Sequence, residues 1–166
     1  ADDPMLNVRH VGDWYPKGET IRQPLKVIVD SELRMPKTAQ ILNDKKILLF
    51  TACDRMVRED IETIVLPAPN NQVDLTGMLS VLAKREINEV MVEAGAVLNG
   101  ALLRSQLIDE MIFYVAPKLM GDAARAVFHL PGMERMAQNI QLKITDIRAV
   151  GNDWRITAKP HYNEAF

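Results

Sequence analysis

The segment that most constrains the fold is Lys46–Thr51, where Ile47, Leu48, Leu49 and Phe50 place apolar side chains on both faces of a strand. Such a strand is typical of a sheet that is covered on both sides. A parallel sheet acquires that cover from the helices that connect its strands. The run therefore predicts a buried sheet within an α/β fold.

The rest of the chain alternates strand and helix patterns. We predict further strands at 25–30, 61–66, 89–93, 110–116, 141–148 and 154–159, and helices at 36–42, 73–85 and 96–106. The clearest helix is 73–85, whose leucines and methionine recur with helical spacing on one face. Alternating strands and helices predict βαβ units and a mainly parallel sheet. A turn at 151–153 joins the last two strands as an antiparallel hairpin, so we expect a three-layer α/β domain with a mixed sheet and helices on both faces.

Composition removes several classes of function. The 166 residues fit one domain, and 20 Lys+Arg against 22 Asp+Glu lack the basic excess of a nucleic-acid binder. Cys53 is the one cysteine and His10, His129 and His161 stand apart, so no metal site is expected. No run approaches the roughly 18 apolar residues of a membrane span, and no membrane partner is expected. A single cysteine fits a reducing compartment, so we expect a cytoplasmic location.

The most informative stretch is 90–101, where an apolar strand ends in Glu93, small residues form a turn, and a helix follows. Ligands bind at the carboxyl ends of strands in α/β sheets, and the first turn of a helix offers N–H groups to a phosphate. Small residues at 94–96 and 99–101 let a phosphate or a neighbouring backbone come close. The alternative is a tight strand-to-helix turn without a ligand. Glu93 favours the functional interpretation, because an unpaired carboxylate at the end of an apolar strand is costly.

Two other stretches carry polar groups. Residues 1–9 place Asp2 and Asp3 before Pro4 and Arg9. This loop could present a carboxylic acid next to an arginine that binds an anion. Residues 29–34 run from a strand into Ser31 and Arg34, which could hold a phosphate. For each stretch, a solvated surface turn is the alternative.

These stretches together resemble the C-terminal reductase domain of the bifunctional riboflavin biosynthesis (RibD) family. The segments that carry the resemblance are ADDPMLNVR at 1–9, RQPLKVIVDSELRMP at 22–36, INEVMVEAGAVLNGALL at 87–103 and LIDEMIFYVAPKLMGDAA at 107–124. The resemblance implies a dihydrofolate-reductase-like fold and NADPH-dependent reduction of the ribosyl group of 5-amino-6-(5-phosphoribosylamino)uracil. It also implies an opening strand and helix and a zinc-dependent deaminase domain upstream, so we expect 1–166 to be part of a longer protein, with zinc only in that upstream domain. Family members commonly self-associate, and a homo-oligomer, such as a dimer, is expected.

The resemblance also implies roles for particular residues. Asp2 lies beside nicotinamide and substrate, Glu93 contacts the substrate at the reacting centre, and both are candidate proton donors. Leu6 and Arg9 are implied substrate contacts, with Arg9 on the phosphate or the pyrimidine edge. The implied cofactor contacts are Asp2, Ser31, Gly95, Ala96, Val97, Leu98, Asn99, Gly100 and Ala101. Arg34 is a candidate for the 2′-phosphate.

The chemistry explains these residue types. The ribosylamine ring must open to an imine before its first carbon can be reduced, and both steps move a proton. A carboxylic acid whose pKa is raised by burial suits that task, and arginine suits a phosphate because it bonds two oxygens. Two alternatives stay open, namely a reductase of a pterin such as dihydrofolate and a non-catalytic nucleotide-binding or dimerisation module.

Overall fold

The computed structural model describes residues 3–9, 19–44, 46–55 and 58–162. The chain divides into two compact units, Ala1–Glu86 and Ile87–Phe166. Each unit contains its own three-stranded sheet, parallel in the first and antiparallel in the second. The expected α/β class is therefore confirmed, with both parallel and antiparallel strands.

The first unit is built around a central strand. Strands β1 (Lys26–Val29) and β3 (Glu62–Val65) pair in parallel with the two sides of β2 (Ile47–Thr51). All five residues of β2 are buried, and Leu48, Leu49 and Phe50 have no exposed surface. The prediction that this run is covered on both faces is therefore confirmed.

A short connection crosses from β1 to β2. The predicted helix at 36–42 is wrong, because the structure contains a 3-10 helix at Gln40–Asn43 instead. Ala39 and Leu42 are buried against Ile47, Leu49 and Ile61. The two buried positions are three residues apart, which matches the three-residue turn of a 3-10 helix.

Helix α1 (Leu75–Lys84) closes the first unit. The Asp74 carboxylate accepts a hydrogen bond from the Gly77 N–H at 3.0 Å and caps the helix, and Met78 and Leu82 are buried. The helix therefore begins and ends within two residues of its predicted bounds.

The second unit contains helix α2 (Ala96–Arg104) and strands β4 (Met111–Val115), β5 (Gln141–Val150) and β6 (Asp153–His161). Strand β6 is central and pairs antiparallel with both neighbours, and Gly151, at φ 61°, supports the tight turn of the predicted hairpin. A register shift between Ile144 and Asp146 inserts one extra residue in β5. Because side chains alternate along a strand, this bulge keeps Leu142, Ile144 and Ile147 on one face.

The structure corrects the prediction of a strand at 89–93. Residues 87–95 form no regular element, and Val90, Met91 and Val92 are 40%, 84% and 46% exposed. A strand requires a neighbour that accepts its backbone hydrogen bonds, and within the described residues no strand pairs with this segment. The single mixed sheet predicted from sequence is consequently two separate sheets.

Candidate active site

The amino end of α2 is the clearest candidate anion site of the second unit. Gly95 is the N-cap residue and has no side chain to cap the helix, and the first intrahelical hydrogen bond is donated by the Asn99 N–H to the Gly95 oxygen at 3.1 Å. The N–H groups of Ala96, Val97 and Leu98 precede that bond and point out of the helix end. Gly95 is exposed, and a Cβ added there would meet nothing within 4 Å. The residues therefore fit a phosphate group, which the helix dipole and free N–H groups stabilise.

A second segment braces this helix from the side. The His129 N–H donates to the Ala96 oxygen at 2.8 Å, and the Asn99 side-chain amide donates to the oxygens of Ala94 and Val127, each at 3.2 Å. Gly100 is buried at the closest approach, where an added Cβ would lie 2.1 Å from the His129 oxygen. Gly100 therefore makes room for a neighbouring backbone, whereas the turn at Gly95 is open.

Glu93 differs from its expected setting. The sequence predicts a carboxylate at the end of a buried strand, but residues 89–93 form no strand and Glu93 is exposed. A role for Glu93 in proton transfer rests on the family resemblance alone.

Ser31 lies at the carboxyl edge of the parallel sheet, just after β1. Its hydroxyl accepts a hydrogen bond from the Val73 N–H at 3.1 Å and lies 3.4 Å from the Gln72 side-chain oxygen. Its carbonyl accepts from the Thr51 hydroxyl at 3.3 Å and from the Cys53 thiol at 3.2 Å. Polar groups from the ends of β1 and β2 thus meet at this edge, as the general rule for α/β sheets predicts.

Arg34 is close to Ser31 in sequence but exposed. Its guanidinium Nε lies 3.4 Å from a Glu32 carboxylate oxygen, and the two side chains are 81% and 56% exposed. An exposed pair of this kind contributes little to stability, so the guanidinium is free to exchange its partner for a phosphate.

The segment 3–9 carries two of the three predicted substrate contacts, Leu6 and Arg9. Leu6 is half-buried with φ 49°, a left-handed conformation that costs a residue with a side chain about 1–2 kcal/mol, and Arg9 is exposed. Hydrogen bonds to the rest of the first unit hold the segment on both sides of Leu6. Asp2, the first candidate proton donor, lies outside the described residues.

Sequence reasoning missed several residues that organise these segments. They are Asn7, Gln23, Lys26, Thr51 and Gln72. The one available signal was Lys26, a charged residue inside an apolar alternation. The partners of the others come from 15 to 41 residues away in the chain, so local pattern carries no sign of them.

Glu62 and Tyr162, whose pKa values are shifted, lie outside these segments. The Arg85 guanidinium, hydrogen-bonded to Glu62, lowers the pKa of that carboxyl and ties β3 to the end of α1. Burial raises the pKa of Tyr162, whose hydroxyl donates to the Ile108 oxygen at 3.1 Å. Within the described part of the chain, no three potential metal ligands cluster and no helix is long and apolar enough to cross a membrane.

Comparison with known proteins gives consistent matches over nearly the whole chain. The chain is 37% identical to the riboflavin biosynthesis protein RibD of Escherichia coli, over 92% of this chain and 44% of that protein. It is 32% identical to the 5-amino-6-(5-phosphoribosylamino)uracil reductase of Buchnera aphidicola from Acyrthosiphon pisum, over 96% of this chain and 81% of that protein. The chain therefore spans less than half the length of the E. coli relative.

Solved structures agree with these matches. A structure of Acinetobacter baumannii RibD superposes with a TM-score of 0.81 at 34% identity, covering 96% of this chain and 44% of that one. A yeast riboflavin biosynthesis reductase superposes with a TM-score of 0.75 at 19% identity, covering 97% and 71%, which shows the shared fold. The dihydrofolate-reductase-like fold expected from the resemblance is thereby confirmed. The sequence model of the RibD C-terminal domain family matches residues 1–156, and this chain belongs to that family.

Proposed function

We propose that this chain is the reductase domain of a riboflavin biosynthesis protein and that it reduces the ribosyl group of 5-amino-6-(5-phosphoribosylamino)uracil with NADPH. The observation that carries the proposal is the open, uncapped amino end of α2 within a family motif that spans Gly95. A diphosphate has the charge and the acceptor oxygens that the N–H groups of Ala96, Val97 and Leu98 require.

NADPH, when bound, supplies the hydride, and the protein supplies binding and orientation. In this proposal the turn at Gly95 holds the diphosphate and Ser31 contacts the cofactor. The exposed guanidinium of Arg34 exchanges Glu32 for the 2′-phosphate. The helix whose first N–H groups bind the diphosphate continues through Asn99, Gly100 and Ala101.

Substrate binding is assigned to the segment 3–9 and to Glu93. Arg9 is exposed and its guanidinium can bond two oxygens of the substrate phosphate. Asp2 or Glu93 moves the protons that open the ribosylamine ring and complete the reduction. Asp2 is the first candidate for this role and Glu93 the second.

The test is a cofactor titration of the full-length protein that contains this chain. Gly95→Asp keeps a good N-cap residue but places a negative charge where the diphosphate would lie. We expect the Kd for NADPH to rise at least about tenfold, the equivalent of about 1.4 kcal/mol. Gly121→Asp is the matched control, because Gly121 is also exposed with nothing within 4 Å of an added Cβ.

Turnover is measured in the same preparation as NADPH oxidation with the ribosylaminopyrimidine phosphate. An unchanged Kd in Gly95→Asp would remove the turn from the cofactor site. Binding of NADPH without any turnover would favour the non-catalytic module. A comparison of NADH with NADPH in Arg34→Ala tests the 2′-phosphate contact, since loss of that contact must narrow the preference for NADPH.

We further propose that two copies of the protein associate through the antiparallel sheet. The edge strand β5 is exposed along its length, and Leu142, Ile144 and Ile147 are 43%, 54% and 52% exposed on one face. A contiguous apolar strip of this kind fits a second copy of itself across a two-fold axis. Light scattering tests this, since Ile144→Lys should shift the protein to monomers while Lys143→Glu, on the opposite face, should not.

A further inference from the structure

We propose that Lys26, at the start of β1, is a positioning residue that holds the segment 3–9 in the conformation that binds substrate. The inference deepens the proposed function and rests on it, since it takes Leu6 and Arg9 as substrate contacts. Lys26 itself contacts neither substrate nor cofactor in this proposal.

Lys26 is a buried cation with two partners. It is 2% exposed, its Nζ lies 2.5 Å from an Asp44 carboxylate oxygen, and the same Nζ donates to the side-chain oxygen of Asn7. A buried ammonium is stable only when it is paired and hydrogen-bonded. Asp44 satisfies its charge, and the bond to Asn7 ties it to a residue nineteen positions away.

Asn7 follows Leu6 and lies two residues before Arg9. The neighbouring Val8 donates its N–H to the Gln23 side-chain oxygen at 2.9 Å and accepts from the Gln23 amide at 3.2 Å. On the other side of Leu6, the Asp3 carboxylate accepts from the Gln40 N–H at 3.0 Å. The left-handed backbone of Leu6 is therefore held between anchors on both sides.

The anchors differ in their access to water. The bonds at Asp3 and Val8 are exposed, so water competes for their groups, whereas the Lys26 bond is part-buried. A bond shielded from water is the stronger constraint, because its groups have no solvent partner to exchange for. Lys26 is thus the anchor on which the order of the segment depends most.

The functional consequence follows from preorganisation. A binding segment that is ordered before the ligand arrives has less conformational entropy to lose on binding. Removal of the Lys26 ammonium should release Asn7, so that Leu6 and Arg9 sample other conformations. Substrate binding should weaken, while NADPH binding at the amino end of α2 should not change.

The first test is Lys26→Met in the full-length protein, which keeps an unbranched side chain of similar length and removes the charge. We expect KM for the ribosylaminopyrimidine phosphate to rise at least about tenfold with a smaller change in kcat, and the Kd for NADPH to stay within about twofold. Lys46→Met is the matched control, since Lys46 is a nearby but exposed lysine, and KM should stay unchanged. Lys26→Arg, which keeps the charge, should recover part of the loss.

Asn7→Ala separates positioning from folding. It removes the same link from the other side and leaves the pair between Lys26 and Asp44 in place. We expect the same rise in KM without the loss of thermal stability that a Lys26 substitution brings. An unchanged KM in both Asn7→Ala and folded Lys26→Met would overturn the inference.

Amide hydrogen exchange provides a readout that does not depend on activity. In Lys26→Met and Asn7→Ala, the Val8 amide, which is hydrogen-bonded to the Gln23 side chain, should exchange at least about tenfold faster, while the amides of β2 keep their protection. Equal exchange in wild type and both variants would overturn the positioning role. If the wild-type protein fails to oxidise NADPH with this substrate, the proposed function fails, and the exchange measurement still decides whether Lys26 orders the segment.

Discussion

Gly100→Ala is the substitution whose effect the structure defines most sharply. The added Cβ would lie 2.1 Å from the His129 carbonyl oxygen, and 2.9 Å from the carbonyl carbon. Ordinary contact begins at 3.4 Å, so the backbone at 129 must retreat from α2 by about 1.3 Å. Backbone has no rotamer through which it could escape, so the segment itself must move.

The magnitude is a balance of opposing effects. Overpacking against a fixed backbone costs about 1–3 kcal/mol. The movement also weakens the hydrogen bond from the His129 N–H to Ala96, which contributes about 1 kcal/mol. Alanine is the better helix former by about 1 kcal/mol, which offsets part of the loss. We expect a net destabilisation of about 1–3 kcal/mol.

The assay is chemical denaturation combined with amide exchange. Gly121→Ala is the control, because an added Cβ there meets nothing within 4 Å, and its effect should stay within about 0.5 kcal/mol. Faster exchange at the His129 amide should accompany the loss of stability. A Gly100→Ala protein as stable as wild type, with that amide still protected, would refute the close approach of the two segments.

Two further predictions concern the second unit. Thr157→Val should stabilise the protein by about 1 kcal/mol, because the Thr157 hydroxyl is buried and has no hydrogen-bond partner among the described residues. Thr145→Val should destabilise the protein, since the Thr145 hydroxyl donates a hydrogen bond to the Thr157 carbonyl oxygen at 3.2 Å. Denaturant titration of both variants checks this contrast. Burial raises the pKa of Tyr162, so the hydroxyl loses its proton at lower pH in the unfolded state than in the folded state. The free energy of unfolding should therefore fall as pH rises above about 10. Tyr162→Phe should show a shallower fall in denaturant titrations over the same pH range, and an identical fall would contradict the role of Tyr162.

Most regular elements were predictable from local pattern. The buried strand β2 has apolar residues on both faces, and α1 has a helical stripe and an Asp74 cap, so each carries its signal within a few residues. The hairpin of β5 and β6 was predictable for the same reason, since Gly151 marks its turn. The family motif at 87–103 likewise required only the order of residues.

Local pattern failed where a partner decides the structure. Residues 89–93 have the composition of a strand, but strand formation depends on a neighbour to which the sequence of the segment makes no reference. The predicted burial of Glu93 was wrong for the same reason, since it followed from the predicted strand. The predicted helix at 36–42 was also wrong, since the structure has a shorter 3-10 helix at Gln40–Asn43 with Leu42 buried.

The sequence by itself determined the fold class, the bounds of most helices and strands, and the family, because periodicity and motif order are written along the chain. Tertiary structure alone decided that Gly100 makes room for a backbone, that the turn at Gly95 stays open, and that Lys26 reaches Asn7. The first and the last are contacts between residues far apart in the chain, and the turn stays open because no distant segment of the described chain covers it. Such contacts depend on where the backbone runs in space, and the type of either residue alone does not specify them.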